Sequence, residues 1–282
     1  MAAYTDKTFK ALAIDAYIAV AYREWGAADN PNVALCVHGL SRNGNDFDDL
    51  AAALAPDWRV LAIDMPGRGR SDWLDDKSRY GYAVYDSVAA HFLAHANVDR
   101  VAWIGTSMGG IIGMRLAAKA GAPIKALVLN DIGPFIPASG RRDNQANFGK
   151  DPRFATEAEA IAYIRETRSA FGPFSDKDWQ KFGRDSLRQL DDGQWTLHYD
   201  PGLASNAPIV DTDNWELWPR ITAPTLTIWG TDSKLLLADT VDRMAKTGPK
   251  SAVYAVPGVG HCPGLTQPDQ IDAIKNFIGA HR

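Results

Sequence analysis

The sequence predicts an α/β fold: a doubly wound, mostly parallel sheet of eight strands with a helical cap inserted between strands six and seven. Three observations predict it. Short, almost wholly apolar runs recur at 33–37, 60–63, 101–104 and 126–129, as expected of strands covered on both faces. Helical patterns at 47–54, 82–96 and 108–120 separate them, and strand–helix alternation implies right-handed crossovers. From about 134 to 218 the strand signals stop, and aromatic and charged residues at helical spacing take over.

In chain order, residues 8–13 and 18–25 read as an opening antiparallel pair, and the four apolar runs follow as strands three to six. The helix at 108–120 is expected to close at Gly121. Within the insertion, 157–168 and 176–190 carry helical patterns separated by Gly and Pro breaks. Strands seven and eight are expected at 225–229 and 252–256, with a closing helix over 268–278. This divides the chain into a core of residues 1–133 and 219–282 and a cap of residues 134–218. Both ends of the cap return to one sheet, so it is no independent unit.

Composition narrows the function. A chain of 282 residues with 46% hydrophobic and 23% charged residues can bury a large single core. The net charge of −4, with Lys and Arg dispersed, offers no basic stripe, so no nucleic-acid partner is expected. No apolar stretch approaches the ~18 residues a membrane helix needs, so no membrane partner is expected either. The start, MAAYTDKTFKALAID, lacks the basic and apolar regions of a secretory signal. Cys36 and Cys262 are far apart, without metal-ligand spacing. These features fit a reduced cytoplasmic protein with no metal and no cofactor; a homodimer is one assembly left open.

The strongest chemical signal is Gly105-Thr106-Ser107-Met108-Gly109, directly after one strand and directly before a helix. A serine presented on so sharp a turn needs small residues two positions away on either side, and the following helix aims N–H groups at a developing oxyanion. Ser107 is the candidate nucleophile. His261 ends Val256-Pro257-Gly258-Val259-Gly260-His261, a Gly-rich loop between the last strand and the closing helix, and is the candidate base. Of the other histidines, His91 and His95 lie on an amphipathic helix and His198 in the cap.

Together, His38-Gly39-Leu40, Asp64-Met65-Pro66-Gly67-Arg68-Gly69-Arg70-Ser71, the GTSMGG turn and Gly258-Val259-Gly260-His261 resemble the α/β-hydrolase superfamily, in its capped esterase, lactonase and C–C hydrolase branch. The resemblance covers most of the chain outside the cap. It implies a small acyl substrate, no cofactor, a Ser-His-acid relay, and an oxyanion hole made by the backbone N–H groups of Leu40 and Met108. It implies that His38 holds the oxyanion loop, and that Asp64 with Gly67-Arg68-Gly69 is a structural turn. Epoxide hydrolases and dehalogenases of this fold carry an Asp at the elbow, which disfavours those activities here.

The acid has two candidates. Many relatives place it after the seventh strand, three residues past a glycine; here Gly230-Thr231-Asp232-Ser233 puts Asp232 one residue early. Asp131, ending the sixth strand, is the other, and some members of the superfamily keep their acid there. The reading leans to Asp131 and leaves the choice open.

The cap aromatics Phe135, Phe171, Phe174, Trp179, Phe182, Trp195, Trp215 and Trp218 are expected mainly to pack the cap on the core. Phe135 and Trp179 are the candidates for facing the substrate, because ligand pockets are mostly apolar. Arg141-Arg142 reads as a solvated pair, with a substrate carboxylate as its alternative. The expected function is hydrolysis of a small carboxylic ester. The alternatives are a lactone, a C–C bond beside a ketone, or ligand binding without catalysis.

Overall fold

The computed structural model describes residues 3–169 and 174–282. β1 (Tyr4–Ala13) and β2 (Ala16–Trp25) form an antiparallel hairpin. There follow β3 (Val33–Val37), α1 (Asp48–Leu54), β4 (Arg59–Ile63), α2 (Tyr82–His95), β5 (Val101–Thr106), α3 (Met108–Ala117) and β6 (Ile124–Asn130). A long segment then leaves the sheet. It carries β7 (Phe135–Ile136), α4 (Ala138–Gln145), α5 (Glu157–Thr167), α6 (Asp176–Asp185), β8 (Leu187–Gln189), β9 (Trp195–Leu197) and β10 (Thr212–Asp213). The chain re-enters the sheet as β11 (Thr225–Gly230), α7 (Ala238–Lys246), β12 (Ala252–Val256) and α8 (Pro268–Gly279).

The eight main strands form one sheet in the order β1-β2-β4-β3-β5-β6-β11-β12. The pairings β1–β2 and β2–β4 are antiparallel, and from β4 to β12 every pairing is parallel. The period of two in β3 explains its continuous apolar run. Val33, Leu35 and Val37 pack toward Val84 and Val88 of α2 and Ile112 of α3, while Ala34 and Cys36 pack toward Leu50 and Leu54 of α1 and Ile274 and Ile278 of α8. Burying each of the valine, leucine and isoleucine side chains contributes about 1.5–3 kcal/mol.

Parallel strands end on one edge, so the last residues of β3, β5, β6, β11 and β12 gather there, and the loops that follow them meet. The inserted segment docks on this edge through polar contacts. Asn43 Nδ2 donates to the Asp185 carbonyl at 2.7 Å, Arg42 donates to the Ser186 hydroxyl, and the Tyr80 hydroxyl donates to Asp200 at 2.8 Å.

Three local expectations need correction. The helix after Ser107 ends at Ala117, and Gly121, at φ 72°, sits in the turn beyond it. The pattern over 176–190 divides: α6 stops at Asp185, and Leu187–Gln189 pairs antiparallel with Trp195–Leu197. Asp191-Asp192-Gly193 causes this, because Gly193 at φ 84° closes a tight turn that the flanking residues continue as a hairpin. The segment read as mostly helical also holds a two-stranded ribbon of β7 and β10. Among the described residues, no helix is long and apolar enough to cross a membrane.

Candidate active site

The elbow at Ser107 is built by close backbone approach. Ser107 has φ 50° and ψ −112°, a conformation that side-chain-bearing residues rarely adopt. A Cβ on Gly105 would lie 2.4 Å from the Gly109 backbone, and one on Gly109 would lie 2.0 Å from the Val37 carbonyl oxygen. Neither position admits a side chain. The first turn of α3 is thus pressed onto the ends of β5 and β3, and Trp103 Nε1 donates to the Gly109 carbonyl at 3.0 Å to hold it there.

His261 reaches this elbow from the loop after β12. Its Nε2 lies 2.9 Å from Ser107 Oγ, and its Nδ1 lies 2.7 Å from Asp131 Oδ2. All three residues are brought into one line. An ionised carboxylate only accepts, so against it the tautomer that completes both contacts carries its hydrogen on Nδ1. Nε2 is then left as the acceptor for the serine hydroxyl.

Asp131 is fully buried, and a buried carboxylate must be met by donors. It is met by three. The Gly230 N–H donates to Oδ1 at 2.9 Å, and the Ser233 hydroxyl at 2.6 Å joins the His261 ring on Oδ2. Asp131 also sits at φ 54°, so the chain bends at the tip of β6 and turns the carboxylate toward β11.

Asp232, the other candidate acid, is exposed and stands outside this line. Its N–H donates to the Val259 carbonyl at 3.0 Å, and its Oδ1 accepts the Thr231 hydroxyl at 3.1 Å. The loop after Gly230 directs its third residue inward, and that residue is Ser233. The Gly230 N–H and Ser233 are contributors that sequence reasoning missed; the three-residue spacing from Gly230 was the signal for Ser233.

Leu40 and Met108 both line the cavity that Ser107 faces. Met108 opens α3, so its N–H has no acceptor within the helix. His38 holds the loop before Leu40: its Nε2 accepts the Met65 N–H at 2.9 Å, and its Nδ1 donates to the Gly39 carbonyl at 2.7 Å. Burial pushes its pKa down to about 3, so it is a neutral tether.

Arg68, expected only to mark a turn, does more. It is fully buried; its Nε donates to the Leu40 carbonyl at 2.9 Å, and one terminal nitrogen lies 3.4 Å from Met108 Sδ. It therefore braces both residues of the expected oxyanion hole. Cys262 is buried beside His261, and burial pushes its thiol well up, which leaves it protonated and unreactive.

The cavity in front of Ser107 has a volume of about 300 Å³. Its apolar wall includes Ile111, Ile132 and Leu235 from the sheet side and Ile136 and Leu203 from the insertion. Neither Phe135 nor Trp179 is among its described lining residues, which corrects that expectation. Ile136 points into the cavity, so Phe135, its neighbour in β7, points the other way. Trp179 packs instead against Phe174 and Phe182, with ring centroids 5.0 and 5.8 Å away. Phe171 lies outside the described residues. The cavity's aromatic residues are Tyr80, Tyr82 and Tyr85, from the approach to α2 and its first turn.

A family model described as the alpha/beta hydrolase family matches residues 34–274. The chain is 39% identical over 270 residues to a 3-hydroxybutyrate-oligomer hydrolase of Cupriavidus necator, covering 92% of each chain. It is 26% identical over 253 residues to esterase YbfF of Escherichia coli, covering 88% of this chain and 94% of that one. The crystal structure of an alpha/beta hydrolase from Novosphingobium aromaticivorans superposes with a TM-score of 0.88 at 32% identity, covering 99% of both chains. The chain belongs to the alpha/beta hydrolase family.

Proposed function

We propose that this chain is a serine hydrolase that cleaves a small carboxylic ester through an acyl-enzyme. The observation that carries this reading is the unbroken hydrogen-bonded line from Asp131 through His261 to Ser107, at 2.7 and 2.9 Å. Ser107 Oγ attacks the ester carbonyl carbon while His261 Nε2 takes its proton, and Asp131 stabilises the imidazolium so formed. The carbonyl oxygen becomes an oxyanion, held by the N–H groups of Leu40 and Met108. Each such donor supplies about 2.7–4 kcal/mol of transition-state stabilisation. Collapse expels the alkoxide, which takes the proton from His261. A water, deprotonated by the same ring, then releases the acid.

In this reading residues 134–218 act as a cap, because Ile136, Leu203 and Thr212 complete the wall of a cavity whose floor is the elbow. The Cupriavidus relative acts, by its name, on 3-hydroxybutyrate oligomers. Short esters of hydroxy acids are accordingly the substrate class we place first. Ser107→Ala is expected to abolish turnover of p-nitrophenyl butyrate while leaving the far-ultraviolet circular dichroism unchanged. Turnover retained in a folded variant overturns the reading.

A further inference from the structure

The cavity in front of Ser107 has a second chemical end. Among its described lining residues no Asp or Glu occurs, and Arg141 is the only charged side chain. Arg141 projects from α4. One of its terminal nitrogens donates to the Thr212 hydroxyl at 2.7 Å, across the ribbon of β7 and β10. Its Nε is enclosed and has no hydrogen-bond partner. It forms no ion pair among the described residues, whereas the acids on either side of it in the fold are engaged elsewhere. Asp143 pairs with Lys234 at 2.8 Å, and Asp211 accepts the Ala138 N–H at 2.6 Å.

A half-buried guanidinium with donors left unmet, facing a pocket free of carboxylates, is a receptor for an anion. The neighbouring groups suit that role. Gln145 lies one helical turn along α4 and lines the same cavity, as does Tyr82, so neutral donors share the pocket with the cation. Between them, Ile111, Ile132, Ile136, Leu203 and Leu235 give the wall an apolar stretch suited to a short alkyl chain.

We infer that Arg141 binds a free carboxylate on the substrate, making this chain selective for esters that carry an acid group at one end, such as an oligomer of a hydroxy acid. The inference rests on the ester-hydrolase reading and deepens it. Arg141 is braced by Thr212 and meets the carboxylate with the donors Thr212 does not use. The ester bond lies at Ser107, and the length of the cavity between them sets how many chain atoms separate ester from acid. Arg142, the other member of the pair, is exposed and takes no part.

The test compares a 3-hydroxybutyrate dimer having a free carboxylate with the methyl ester of the same dimer. Wild-type protein is expected to prefer the free acid at least tenfold in kcat/KM, chiefly through KM. Arg141→Gln is expected to bring that ratio to within about threefold of one, Arg141→Lys to give an intermediate ratio because it keeps the charge and loses the fork, and Arg142→Gln to keep the wild-type preference. A wild-type ratio near one, with both dimers turned over, overturns the inference and leaves the ester reading standing. Binding of both dimers to Ser107→Ala, followed by calorimetry, separates the two readings. Discrimination there that is lost in Ser107→Ala/Arg141→Gln supports the carboxylate site even if no ester is hydrolysed. Equal binding of both dimers to Ser107→Ala rejects it.

Discussion

The Ser233 hydroxyl donates to Asp131 Oδ2 at 2.6 Å, on the same oxygen that receives the His261 ring. The residue three past Gly230 thus supports a carboxylate that comes from another strand. Asp131→Asn is expected to lower kcat for p-nitrophenyl butyrate by about 10⁴-fold, as an amide in this position favours the wrong imidazole tautomer. Asp232→Asn is expected to stay within twofold of wild type. Ser233→Ala removes one of three donors and is expected to cost about tenfold in kcat with KM little changed. A large loss in Asp232→Asn with none in Asp131→Asn would reverse the assignment.

Arg68 connects a structural turn to the proposed oxyanion hole, since its Nε holds the Leu40 carbonyl and its far end touches Met108. Arg68→Met should free the Leu40 peptide to rotate. The expected result is a fall in kcat of about 10–100-fold, a fraction of what losing a whole oxyanion donor costs, with KM within threefold. Arg68→Lys should recover little, because an ammonium cannot reach the Leu40 and Pro66 carbonyls and the Tyr85 hydroxyl together. Steady-state kinetics on folded variants, checked by thermal melts, measures this.

Stability should depend on pH through two buried histidines. Burial lowers His38 to about 3 and holds His198, whose Nδ1 accepts the Gly69 N–H, well below its ordinary range. Both stay neutral in the folded chain while the unfolded chain takes up protons below about pH 6.5. The unfolded state then binds more protons, so stability falls with pH from about 6.5 downward. The slope approaches about 1.4 kcal/mol per pH unit for each histidine. Urea melts from pH 7.5 to 5 should show this decline. His198→Gln, whose amide oxygen can still accept from Gly69, should reduce the slope by about one proton.

Much of this fold was legible because burial on both faces of a parallel sheet writes continuous apolar runs into the sequence, as at Val33–Val37. The elbow was legible because sterics leave Gly105 and Gly109 no substitute. What escaped depends on which way a loop turns. One residue of register decides whether Asp232 or Ser233 faces inward, and composition does not record it. The insertion was hardest to read. The alternation of Phe135 and Ile136 in a two-residue strand, and the turn of Trp179 toward Phe174 and Phe182, follow from tertiary contacts that helical spacing does not encode. Arg68 was read as part of a turn because two of its partners, the Leu40 carbonyl and the Tyr85 hydroxyl, lie far from it in the chain.

The central claim is that the Ser107 hydroxyl is the activated nucleophile, and a fluorophosphonate probe tests it most directly. After brief exposure, intact-mass and peptide analysis should find one adduct per chain, on the peptide containing Ser107, and none in Ser107→Ala or in protein lacking the His261 ring. An adduct on another residue, or no adduct on a folded wild-type chain, would contradict the account.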